Sequence, residues 1–214
     1  MIISMMNTSV SPEMREAHHR VMNTLAILHA LLRNGFSKFS DQNVKDAVMQ
    51  FEARLIALRD LHLTIAIGAG DGVASVDRYI EHLCESLCDG LLTPRGIQCE
   101  VRVEPGFLPS QVCERLGLII VELVTNSMKH AFPDRDSGLV RVEMVRDADC
   151  WLLTVSDDGV GFRDQRSGTG LEMVHLLARA AGADVVFAPR FKGVTVAISV
   201  PAIDFQEADF PPKW

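Results

Sequence analysis

Polar residues interrupt the apolar run "LGLIIVELVTNSMKHAF". Glu122, Asn126, Lys129 and His130 stand at i, i+4, i+7 and i+8, which is one face of a helix. A carboxylate, an amide oxygen and an ammonium on one face can serve a hydrated Mg²⁺ and a phosphate chain. Magnesium takes few protein ligands and fills its shell with water and phosphate oxygens. A solvated polar face would use the same residue types. Further on, "SDDGVGF" sets Asp157 at the end of a predicted strand, followed by Gly159 and Gly161. A carboxylate there can accept from an exocyclic amine, and the glycines let backbone approach a flat ring, although a plain strand-end turn also favours Asp-Gly. "SGTGLEMV" then places Gly168 and Gly170 just before a helix, where free N–H groups form a cradle for phosphate. A lone Gly-x-Gly says little. Helix, strand end and helix start in this order say much more. Upstream, "EAHHRVMNTLAILHALL" puts His18, His19 and Arg20 at the head of a strongly apolar helical run.

Two kinds of architecture position these groups. From about 12 to 66 the pattern is helical, with Met14, His18, Val21, Leu25, Leu28 and Leu32 spaced by alternating fours and threes. Val44, Val48, Phe51, Leu55, Leu58 and His62 repeat that rhythm, the seam of a coiled-coil-like bundle. "NGFSKFSDQ" between them supplies a Gly and an N-cap, so the two helices fold back as an antiparallel hairpin. Residues 25–32 are apolar almost all round, and pairing with a second copy into a four-helix bundle would cover them. The Gly-rich "GAGDG" marks a break at 68–72. Beyond it a helix is predicted on Val76, Ile80, Leu83 and Leu87. "QCEVRV" reads as a strand with Cys99, Val101 and Val103 inward. A long helix runs from Ser110 to about Ala131, with Cys113, Ile120, Val124 and Ala131 on its sheet-facing side. Strands are predicted at 139–145, 150–156, 184–189 and 194–200, with a helix from about Gly170 to Ala181. The fold class is α+β: an antiparallel helical hairpin over 12–67, an α/β sandwich over 73–201, and an irregular tail over 202–214.

Composition narrows the function. The 214 residues carry a net charge of −7 and are 48% apolar and 23% charged. This suits a globular chain with a sizeable core and argues against non-specific binding to nucleic acid or an anionic membrane. Five cysteines form no Cys-x-x-Cys pair, and Cys84, Cys88 and His82 lack further ligands at zinc spacing, so reduced core thiols are expected. No signal-peptide layout and no run of membrane-span length is present, so the chain is expected in the cytoplasm.

These residues resemble a known family. "ELVTNSMKHAFP", "DDGVGF" and "GTGL" are similar to the N, G1 and G2 boxes of the GHKL ATP-binding fold shared by histidine kinases, gyrase and related ATPases. "EAHHRVMNTLAILHALL" resembles the H box of two-component histidine kinases related to the HWE class, matched by Glu16, His19, Arg20, Val21 and Asn23. "EARLIALRDLHLTI" resembles that family's second helix, with Arg54 and His62 in place. The resemblance covers roughly residues 12–201. It implies that Asn126 coordinates Mg²⁺, Lys129 binds phosphate, His130 lines the ATP pocket and Asp157 reads adenine. Gly159, Gly161, Gly168 and Gly170 would shape pocket and lid, and Glu122 would orient the metal or its water.

Helix geometry distinguishes the two histidines. His18 falls on the seam, and His19 is rotated about 100° from it. Glu16 and Asn23 share the His19 face, so Glu16 can hold the imidazole in one tautomer and leave a neutral nucleophile. Arg20 can meet the incoming phosphoryl oxygens. The implied protein is a dimeric protein-histidine kinase that phosphorylates His19 from Mg·ATP and passes the group to an aspartate of a response regulator receiver domain. Sensory input is expected from another chain or a missing region. Three departures stand out: Met22 replaces the usual H-box lysine, "RDQRS" makes the lid short, and Gly193-Val194-Thr195 stands where the family has Gly-Thr directly. A phosphotransfer protein on a degenerate scaffold that does not bind ATP, and a GHKL anti-sigma serine kinase, are the alternatives.

Overall fold

The computed structural model describes residues 41–68, 72–133, 135–147, 149–161, 169–189 and 192–202. Glu16, His18, His19, Arg20, Met22, Asn23, Gly168 and most of the tail lie outside them. The described chain opens with α1 (Gln42–Gly68). Next come a short strand β1 (Val73–Ser75) and α2 (Val76–Leu87), which continues into a π turn at Cys88–Leu92. β2 (Ile97–Val103), β3 (Phe107–Pro109) and α3 (Ser110–His130) follow, then β4 (Gly138–Asp147) and β5 (Cys150–Asp157). The chain finishes with α4 (Thr169–Ala180), β6 (Asp184–Pro189) and β7 (Val194–Pro201).

One five-stranded sheet runs in the order β2-β4-β5-β7-β6, with β2 parallel to β4 and every other pairing antiparallel. A separate antiparallel pair joins β1 to β3. Strict alternation builds the sheet's covered face: Val140, Val142 and Met144 on β4, Trp151, Leu153 and Val155 on β5, Val196, Ile198 and Val200 on β7 are all buried. Against it pack Leu116, Ile119, Ile120 and Val124 of α3 with Val174 and Ala178 of α4. Burial of each large aliphatic side chain contributes roughly 1.5–3 kcal/mol, so this layer fixes α3 on the sheet. β2 departs from expectation at Val101, which is 37% exposed. It lies on an edge strand bonded only to β4, where alternation alone does not guarantee cover.

α1 buries a second face beside its expected seam, of which Leu55 is buried as well. Its most buried residues include Ala53, Ala57, Asp60 and Leu61, at i, i+4, i+7 and i+8, whereas the seam residue Phe51 is 47% exposed. Ala53, Ala57 and Leu61 belong to the same core as the sheet and its helices, and α1 packs on α2, α3 and β1. Small side chains allow that close approach. At the junction the Tyr79 hydroxyl donates to the Ala57 carbonyl at 3.3 Å, and the Tyr79 ring fills the space a side chain on Gly117 would need. Ser86 of α2 donates to Asp60 at 3.0 Å. Alanines carry little weight in an apolar pattern, which is why this second face of α1 was invisible in the seam periodicity.

Candidate functional site

The last turns of α3 leave the sheet and open onto a cavity of about 330 Å³. Asn126, Lys129 and His130 line it from α3, Asp157 and Gly161 from the end of β5, and Gly170 from the start of α4. Leu123, Val155, Val196 and Phe187 add apolar wall. An apolar slot with a few convergent polar groups, at this volume, suits a nucleobase and part of its phosphate chain. Among the described residues the side chains of Asn126, Lys129 and His130 make no hydrogen bond or ion pair with protein groups, so they are available to a ligand.

Asp157 is held from three sides. Its Oδ1 accepts from the Gly159 N–H at 3.0 Å and the Val194 N–H at 3.3 Å, and its Oδ2 accepts from the Ser127 hydroxyl at 3.0 Å. An ionised carboxylate offers about four lone-pair directions, so one remains, on Oδ2. The surrounding turn needs its glycines. Gly193 has φ +78°, and a side chain there would collide with the Asp157 carbonyl; Gly159 lies directly against the Ala131 backbone. The Val160 N–H donates to the Ala131 carbonyl at 2.9 Å, tying the turn to the end of α3.

Ser127 is a site residue that sequence reading missed. One position after Asn126 it falls inside the apolar stripe and reads as core, and it is 9% exposed. Only the three-dimensional crossing of α3 over β5 brings its hydroxyl to Asp157. Thr195, by contrast, does not line the cavity. The extra Val194 occupies the wall, and strand alternation turns Thr195 to the other face, where its buried hydroxyl finds no partner among the described residues. The hydroxyl beside Asp157 is that of Ser127 on α3.

Glu122 is not on a solvated face. It is 2% exposed and its Oε2 accepts from Arg54 of α1 at 2.8 Å. Next to Asp157, Asp158 fastens the loop after α3. Arg135 donates to its carbonyl and to its Oδ2, both at 2.9 Å, and the Leu139 N–H donates to Oδ1 at 2.8 Å. Slight burial works against the Asp158 carboxylate, but the Arg135 and Leu139 hydrogen bonds outweigh it and hold the carboxyl below its usual range.

A mixed sheet with one helical layer, a helix end that opens onto a cavity and an anchored Asp-x-Gly-x-Gly turn define a GHKL-type nucleotide-binding domain. Residues 111–204 match the family of histidine kinase-, DNA gyrase B- and HSP90-like ATPases, and residues 16–91 match the histidine kinase family HisKA_2. The chain belongs to the histidine kinases, with a GHKL-type ATP-binding domain. It is 26% identical over 205 residues to blue-light-activated histidine kinase 2 of Erythrobacter litoralis, covering 91% of this chain and 58% of that protein. It is 28% identical over 195 residues to the sensor histidine kinase PdtaS of Mycobacterium tuberculosis, covering 87% and 39%. The chain thus spans less than two thirds of these relatives' lengths. The fold is similar to the histidine kinase domain of the Erythrobacter litoralis EL346 blue-light activated histidine kinase, with TM-score 0.65, 21% identity and 86% and 95% of the two chains covered. No described helix is long and apolar enough to cross a membrane.

Proposed function

We propose that this chain phosphorylates its own His19 from Mg·ATP and transfers the phosphoryl group to an aspartate of a response regulator receiver domain. The observation that carries the reading is the cavity at the end of α3, which Asn126, Lys129 and an anchored Asp157 line together with apolar wall. In this reading the spare lone pair of Asp157 accepts from the adenine amine, and Lys129 with the N-terminus of α4 meets the phosphates. The residues also fit a magnesium ion. Asn126 supplies one oxygen, and among the described residues no three His, Cys, Asp or Glu side chains converge to hold a metal by themselves, so the nucleotide would supply the other anionic ligands. Bound there, the ion would neutralise charge on the transferring phosphoryl group, which with positioning is most of what such catalysis needs.

His19 is the acceptor in this reading, with Glu16 and Asn23 on its face and Arg20 beside it. The division is a phosphotransfer and dimerisation hairpin over 12–67 and a catalytic domain over 73–201, with two hairpins joining in the homodimer and the chain working in the cytoplasm. The test is label from [γ-³²P]ATP that is acid-labile and base-stable. His19→Ala should abolish it with the melting temperature unchanged, and His18→Ala should keep part of it. Label persisting in the His19 variant would overturn the assignment. Light scattering that gives a monomer mass at tens of micromolar would overturn the dimer.

A further inference from the structure

Three helices meet at Glu122. Its Oε2 accepts from Arg54 of α1 at 2.8 Å. Its Oε1 faces the start of α4, where a Cβ placed on Gly170 would stand 2.5 Å from it and 3.1 Å from Asn126 Nδ2. The carboxylate is 2% exposed and the Arg54 side chain 35%, so the pair has one dry end and one wet end.

We propose that Arg54 sets the charge felt at the Asn126 end of the cavity, and so ties the docking of α1 to its loading with Mg²⁺ and nucleotide; this rests on the nucleotide reading above. With Arg54 in place the carboxylate is neutralised and contributes little field one turn along α3. Without it, the buried carboxylate one turn from Asn126 has no cation to pair with, and a divalent cation there can take that place and is drawn more strongly. Low exposure matters here, because water does not screen the Glu122 side of the pair. Arg54 reaches Glu122 only while α1 is docked, and that docking is fixed on either side of it by buried Ala53 and Ala57 and by the Tyr79 hydrogen bond to the Ala57 carbonyl. Coupling between two events is reciprocal in free energy. A cation that draws on Glu122 therefore weakens the hold of Arg54, and loading loosens α1. Arg54 is a positioning residue in this scheme; it touches neither nucleotide nor metal.

The sign of the effect makes it testable. In the full chain, Mg²⁺ is titrated at fixed ADP, and the half-saturating Mg²⁺ is compared across variants by calorimetry. Arg54→Met should lower it by about threefold or more, the sense expected when an unscreened carboxylate is left beside the ion. Arg54→Lys, which keeps the charge, should stay near wild type. The double variant Arg54→Met/Glu122→Gln should return to it, since no charge is left. Should Arg54→Met not fold, Arg54→Gln keeps a donor for Glu122 without the charge and carries the same expectation. Hydrogen exchange in the 53–61 segment should speed up on adding Mg·ADP to wild type and not to Glu122→Gln. A purely structural role would raise the Mg²⁺ requirement or leave it alone. Either result, with ADP still bound, overturns this inference and leaves the nucleotide site standing. Failure of the unmodified protein to bind Mg·ADP overturns both.

Discussion

Replacing Asp157 by Asn should invert what the cavity offers a nucleobase. The two backbone donors, Gly159 N–H and Val194 N–H, both point at Oδ1 and require an acceptor there. The Asn oxygen must therefore take that place, and its NH₂ falls where Oδ2 now accepts from Ser127. The serine hydroxyl can rotate and accept instead. What changes for the ligand is the remaining position: a charged acceptor becomes a donor. An exocyclic amine then loses a hydrogen bond to a charged group, roughly 1.5–3 kcal/mol, and leaves a donor facing a donor at about 1–3 kcal/mol more. Even the lower sum corresponds to a loss of nearly a hundredfold in affinity. The assay is calorimetry of Mg·ADP against Mg·IDP, whose base carries a carbonyl in place of the amine. Wild type should prefer ADP, and Asp157→Asn should lose that preference by about a hundredfold, with IDP affinity kept or improved. An Asn variant that binds ADP within about threefold of wild type, and still prefers it over IDP, would refute the orientation argument.

Ser127→Ala should weaken ADP by about tenfold and IDP much less, because it frees the Asp157 carboxylate to turn without removing it. Gly117→Ala should destabilise the protein by about 1–3 kcal/mol in urea unfolding, since the new methyl has to displace the fully buried Tyr79 ring. Unchanged stability would show that Tyr79 moves freely. Alkylation near neutral pH should modify Cys88 first: it is half-buried, and the hydrogen bond from the Cys99 thiol lowers its pKa. Cys113 should resist until the protein unfolds, because burial pushes its thiol up to about 12. Peptide mass mapping reads that order directly.

Much of the sheet domain was legible because its signals are local. The alternation at 139–145 and 150–156 became β4 and β5 nearly residue for residue, and the polar face ending α3 does bring Asn126, Lys129 and His130 to one cavity with Asp157, Gly161 and Gly170. Local pattern failed where a residue answers to a distant partner. Glu122 shares a helical face with Asn126, but an arginine 68 positions earlier decides that it is buried. Ser127 reads as core until β5 crosses beneath it. The two-stranded β1–β3 pair is too short for any periodicity to register. The alanines of α1 mark a packing face only once α2 and α3 are there to receive them.

α1 is also a lever. It is 27 residues long, about 40 Å at helical rise, and among the described side chains its buried residues run from Ala53 to Leu61. The arm from Ala53 back to Gln42 measures about 16 Å, so a tilt of about 10° around the docked stretch sweeps that end through about 3 Å. Phosphoryl transfer depends on reacting atoms about 3–3.5 Å apart, and errors near 1 Å are already costly. Such a helix converts a small slip at an arginine–glutamate contact into a displacement as large as the gap the reaction must close.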